Sequence, residues 1–177
     1  MSHDHTTTPE DPRSFKNEFM QILNTLAVPM FHEFASDARG NSFSADKEEG
    51  IDANGNPYAS VRFNLDRISK LNIDPDNECE FVIKGLLDEE KIELHAVYDK
   101  RSGKAEAYYE KVDIQKINQV ELEDQLTDFL AAAMAVRRDQ PIPPRKRDQK
   151  SIPATVAPAA PVPAAPIPIV WKKRESK

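Results

Sequence analysis

Residues 78–98 read ECEFVIKGLLDEEKIELHAVY, and the pattern in this stretch decides the fold. From Glu78 to Leu86, Cys79, Phe81 and Ile83 alternate against Glu80, Val82 and Lys84. After the charged break Asp88, Glu89, Glu90, residues Ile92, Leu94, Ala96 and Tyr98 alternate against Glu93, His95 and Val97. Successive side chains of a strand leave on opposite faces, so a period of two predicts two half-buried strands, and the short break makes them an antiparallel pair. On the carboxyl side, Asp99 to Gly103 is a hairpin connection and Lys104 to Val112 returns as the last strand. On the amino side, Asp74, Pro75, Asp76 and Asn77 form a turn. Before it, Tyr58 to Leu65 places Ala59, Val61, Phe63 and Leu65 on one face and Ser60, Arg62 and Asn64 on the other. Asp52, Asn54, Gly55, Asn56 and Pro57 are dense in turn formers. Ser42 to Lys47 is a weaker partner strand, which makes residues 48–57 a hairpin loop.

Helical periodicity flanks the strands. Ser14 is an N-cap, and Phe15, Phe19, Ile22, Leu23, Leu26, Met30 and Phe34 recur at spacings of three and four, which predicts a helix over 15–38 with this stripe as its core face. Gly40 and Asn41 supply stop signals. Pro29 lacks a backbone donor and clashes with the preceding turn, so a kink near Ala27 and Val28, or two shorter helices, is expected. Asn118 with Glu121 matches a capping box. Leu122, Leu126, Phe129, Leu130, Ala133 and Met134 make the stripe of a closing helix to about Arg138, where Arg137 and Arg138 oppose the helix dipole. The fold class is α+β: an antiparallel four- to five-stranded meander sheet flanked by an N-terminal, Pro-kinked helix and a C-terminal helix, with helix covering one sheet face.

Charge divides the chain. Residues 1–139 hold 16 basic and 28 acidic side chains, a net of −12, whereas residues 140–177 hold 8 and 2, a net of +6, together with nine of the 14 prolines. The expected organisation is a disordered N-terminus over 1–13, an α+β domain over 14–139 and a disordered, basic, Pro/Ala-rich tail over 140–177. A domain of this size buries roughly two thirds of its unfolded surface and needs neither disulfide nor metal to fold. Cys79 is the only cysteine; Glu78 and Glu80 beside it raise rather than lower a thiol pKa, so core burial is expected. The first residues carry no basic stretch followed by an apolar one, and no apolar run approaches the length of a membrane span, so a cytoplasmic protein is expected. An acidic domain does not favour phosphate, which leaves only the tail for nucleic acid.

No constellation with catalytic spacing stands out. His32 and Glu33 lack the second histidine of a zinc-protease helix, since position 36 is Ser36. His95 lies on the polar face of a strand with no local nucleophile. Asp52, Asn54 and Asn56 imitate a calcium loop, but Pro57 and Phe63 stand where the loop needs its Gly and bidentate Glu. Asp74, Asp76 and Glu78 read as a solvated turn, and His3, Asp4 and His5 as adventitious metal ligands. The five glycines, at 40, 50, 55, 85 and 103, are too dispersed for a phosphate loop. No catalytic residue, cofactor or metal is therefore expected, and no enzyme.

The tail is more informative. Ser151 to Pro168 favours extended polyproline II, and 18 residues at about 3.1 Å each span about 50 Å. This spacer ends in Ile169, Val170, Trp171, Lys172, Lys173 and Arg174, the expected partner-binding residues: the chain's only Trp is a natural binding anchor and stands beside a basic cluster. Pro141 to Pro144 followed by Arg145 and Lys146 fits a PxxPx+ docking peptide. The opposite charges of domain and tail also predict a weak, salt-sensitive contact between residues 171–174 and an acidic surface. In element order and acidic balance the chain resembles the small type III secretion chaperones, which hold extended client segments. The expected function is a non-catalytic protein-binding or adaptor module, chaperone-like in one form, with self-association through the sheet or a helix as its homodimer form. One alternative is a small-molecule-binding domain or small enzyme with a pocket between first helix and sheet, lined by Tyr58, Arg62, His95 and Tyr108. Another is a nucleic-acid-associated accessory protein acting through the basic tail.

Overall fold

A computed structural model describes residues 14–64, 78–100 and 107–149. Helix α1 (Phe15–Ile22) passes through a π-helical turn (Leu23–Ala27) into α2 (Val28–Gly40). Five strands follow: β1 (Ser44–Ile51), β2 (Pro57–Asn64), β3 (Glu78–Leu86), β4 (Lys91–Val97) and β5 (Ala107–Val112). A 3₁₀ turn (Ile114–Lys116), α3 (Gln119–Arg137) and one final helical turn, α4 (Lys146–Gln149), complete the order. Each strand pairs antiparallel with the next, in the order β1-β2-β3-β4-β5, so the α+β meander is the architecture and it has five strands. Leu65, the turn at 74–77 and residues 104–106 lie outside the described residues.

The alternation places the residues as it should. Val61 pairs with Phe81 and Phe81 with Ala96; Ala59 pairs with Ile83 and Ile83 with Leu94. All are buried on the face that the helices cover. Above them Phe31 meets Phe81 edge-on at 6.0 Å, and Phe129 of α3 packs on Phe63, Phe81 and Tyr98 at 6.1, 5.7 and 6.4 Å. Both N-caps form: Ser14 accepts from Asn17 N–H, and Asn118 accepts from Glu121 N–H at 3.0 Å.

The first helix takes the second of its expected forms, two shorter helices with the second starting at Val28, but what joins them is a π turn in which right-handed dihedrals continue and Val28 N–H reaches back five residues to Leu23 C=O. A π turn holds one extra residue, so it sets Pro29 at the start of α2, where its missing donor costs least. The buried stripe is therefore Phe19, Leu23, Ala27, Met30, Phe31, Ala35 and Ala38; Phe19, Leu23 and Met30 were expected there, while Leu26 and Phe34 of the expected core face are only half-buried.

No described helix covers the other sheet face. Arg62 reaches Asp46 and Glu48 at 3.8 and 3.3 Å, Tyr58 donates to Glu48 at 2.8 Å, Tyr109 donates to Glu93 at 3.1 Å, and Lys111 pairs with Glu89 at 2.7 Å. This face is laced with charge, and Ser60 and Asn64 on it are almost fully buried. The charges of β1 also guard its outer edge, as edge strands require. No helix among the described residues is long and apolar enough to cross a membrane.

Candidate peptide-binding site

The site begins where α3 ends. Asp139 adopts a left-handed conformation (φ 53°), Asp139 N–H bonds Val136 C=O at 3.2 Å, and Gln140 N–H bonds Ala135 C=O at 2.8 Å. This is a Schellman closure built on Asp instead of Gly, and it reverses the chain. Residues 140–147 then run back along α3, which composition alone had assigned to a detached tail.

The return path lays three basic side chains on the face formed by α3 and the edge strand β5. The guanidinium of Arg145 stacks on the Tyr108 ring, 3.4 Å from its centroid, and donates to Gln125. Gln125, almost fully buried, is held in turn by its donation to Glu121 at 2.9 Å. Lys146 pairs with Asp124 at 3.0 Å while its backbone N–H donates to Asp128 at 3.1 Å. Arg147 bridges α3 and β5, pairing with Glu121 at 2.8 Å and with Glu110. Tyr108 donates to Glu110, so one carboxylate orients both the aromatic floor and the second guanidinium. Burial and this acceptor raise the Tyr108 phenol well above its ordinary range, and burial raises the Asp128 carboxyl. Ile142 adds an apolar anchor against the core. A flat cation on an aromatic face, beside carboxylates at fixed spacing, is how domains recognise arginine-bearing peptides.

The reversal makes a prediction. A β-branched residue resists the left-handed region at a cost of about 1–2 kcal/mol, so Asp139→Val is expected to destabilise the closure and detach the segment, whereas Asp139→Gly retains it. Limited trypsin digestion reads this directly: cleavage after Arg145 and Arg147 accelerates in Asp139→Val alone. Equal rates in the two variants would dismiss the closure as what holds the segment.

Other expected sites fare differently. Tyr58, Arg62 and His95 lie on the charge-laced sheet face and Tyr108 on the opposite one, so these four do not line a common pocket. Phe19, Leu23 and Phe31 are buried between the first helix and the sheet. A groove of about 960 Å³ does run between α2 and α3, over Phe63, with Leu26, Phe34, Leu130 and Met134 on its walls and Glu33, Asp37 and Glu123 at its rim. No histidine or cysteine is among the described residues lining it. Cys79 is buried beneath the helices, its thiol pushed up to about 12 by desolvation, so it is no nucleophile. Asp52 spends one carboxylate oxygen on the N–H groups of Asn54 and Asn56, each at 2.9 Å, and the other on Lys84 at 3.2 Å; it shapes the β1–β2 turn. Ile169, Val170, Trp171, Lys172, Lys173 and Arg174 lie outside the described residues. What sequence reading missed is the seat of residues 145–147: Tyr108 was seen only as a pocket residue, Glu121 only as a capping residue, and Glu110, Asp124, Gln125 and Asp128 carried no local signal.

No family model, no curated protein and no solved structure matches the chain.

Proposed function

We propose that this chain is a non-catalytic, cytoplasmic protein-binding adaptor whose α3–β5 face recognises a short basic peptide. The observation that supports it is the seat of Arg145 on Tyr108 and Gln125, flanked by separate carboxylate partners for Lys146 and Arg147. Exposed ion pairs taken singly contribute about 0–1 kcal/mol. Selectivity therefore comes from the combination of stacked cation, fixed amide and spaced carboxylates, a geometry that a lone basic residue does not satisfy. The chain's own 141–147 is the resident ligand, tethered at a high effective concentration. The acidic domain disfavours nucleic acid, and a protein segment of matching charge is the fitting partner.

The test uses the full chain with Arg145, Lys146, Arg147, Lys172, Lys173 and Arg174 all replaced by Ala, which removes both basic triplets of the tail. A labelled peptide of residues 141–150 added in trans is expected to bind this variant roughly tenfold or more tightly than the wild type, because no tethered competitor is left. Adding Glu110→Gln and Glu121→Gln is expected to abolish the gain. Equal anisotropy titrations for the wild type and this variant, or equal binding of a peptide with its basic residues dispersed, would refute the reading.

A further inference from the structure

The resident ligand has a second copy in the same chain. Residues 141–150 read PIPPRKRDQK and residues 168–177 read PIVWKKRESK, with five of ten positions identical and every charged position matched in sign. Resting on the peptide-binding reading above, we infer that residues 168–177 take the α3–β5 site of their own molecule when 141–150 leaves it, so that the tail docks in two registers.

The contacts transfer residue by residue. Lys172 takes the place of Arg145 on the Tyr108 ring, Lys173 that of Lys146 between Asp124 and Asp128, and Arg174 that of Arg147 between Glu110 and Glu121. Ile169 replaces Ile142, which packs against the core. Two differences oppose each other. Lys172 gives up the planar stacking of a guanidinium, while Trp171 in place of Pro144 brings a large aromatic surface. Chain length decides whether the registers compete. Five residues, 140–144, bridge Asp139 to the first basic triplet, and 32 residues, 140–171, bridge it to the second. Loop-closure entropy grows only with the logarithm of length, so the longer loop disfavours the second register by only about tenfold. A Trp contact can offset a difference of that size. The consequence is an exchange: when 168–177 docks, the PxxPx+ peptide at 141–146 is released to a partner.

Trp171, the only indole, reports the exchange in the full chain. Arg145→Ala, Lys146→Ala and Arg147→Ala together are expected to shift Trp171 emission to shorter wavelength and to reduce its quenching by acrylamide. The shift is unchanged on tenfold dilution and is reversed by adding Glu110→Gln and Glu121→Gln. Emission and quenching identical to wild type would overturn the proposal. A shift that grows with protein concentration would overturn it too, by assigning the docked peptide to a neighbouring molecule. A variant with both triplets replaced by Ala separates the two ideas: if it binds labelled 141–150 while Trp171 of the first variant, with only 145–147 replaced, never responds, the site stands and the exchange falls. If it binds nothing, both fall.

Discussion

Replacing Phe129 with Ala is expected to cost about 3–5 kcal/mol of unfolding free energy. Its ring is the one from α3 that meets Phe63 of β2, Phe81 of β3 and Tyr98 beyond β4, and it is nearly inaccessible to solvent. Removing it takes one ring contact from each of three aromatic neighbours at the centre of the helix–sheet interface, where the close-packed surroundings relax only in part. Phe31→Ala belongs to the same class, through Phe81. Phe34→Ala and Leu26→Ala are expected to cost less, because both side chains stand half-buried on the groove wall. Urea melts check the ranking, with the midpoint falling and the slope unchanged. A Phe129→Ala loss below that of Phe34→Ala would contradict the packing described.

Gly85→Ala carries the second large effect. Gly85 faces the helices from β3, and a Cβ there would lie 2.4 Å from Cδ1 and 2.9 Å from Cγ of Phe19, whose ring is fully buried. Because Cγ is near the ring's root, the side chain cannot swing clear without moving α1, and overpacking of this kind costs about 1–3 kcal/mol. A smaller partner is expected to relieve it. In a double-mutant cycle, Gly85→Ala in a Phe19→Leu background should be less damaging than in the wild type. Strictly additive losses in thermal melts would show that the close approach does not constrain the chain.

The sheet and the ends of the long helices were the readable parts, and their physics explains why. In β3 and β4 every second residue is apolar, so register and face follow from local sequence. The Asn118 and Ser14 caps are likewise local. Strand β1 was readable only in its first residues, because Lys47, Glu48 and Glu49 give no alternation. Its hydrogen bonds to β2 hold it, and its one fully buried apolar residue is Ala45. The helix stripe was read in part: Phe19, Leu23 and Met30 are buried as expected, while Leu26 and Phe34 are half-buried and Phe31 and Ala35 were missed. A π turn has no residue signature of its own, and its one extra residue moves each later core position on by one, from Met30 to include Phe31 and from Phe34 to Ala35. The two left-handed closures, Ser42 after α2 and Asp139 after α3, escaped because neither is glycine. The face that seats residues 145–147 was least legible of all. Tyr108 and Glu110 come from β5 and Glu121, Asp124 and Gln125 from α3, and only the closure at Asp139 returns Arg145 and Arg147 to them. The opposite charges of domain and tail predicted attraction, but charge alone does not name an address.

The π turn makes the first helix a phase coupler. Phe19 on one side of it locks into Gly85, and Phe31 on the other locks onto Phe81, so the two halves are keyed to different places along one strand. Inserting a further residue within 23–27 would rotate one half against the other by about 100°, unseating Phe19 or Phe31 while leaving composition and hydrophobicity almost untouched, whereas deleting one removes the residue that the π turn holds in excess and keeps the halves in phase. Substitutions are thus tolerated there far more readily than an added residue, and the phase between Phe19 and Phe31 is the quantity that the turn holds fixed.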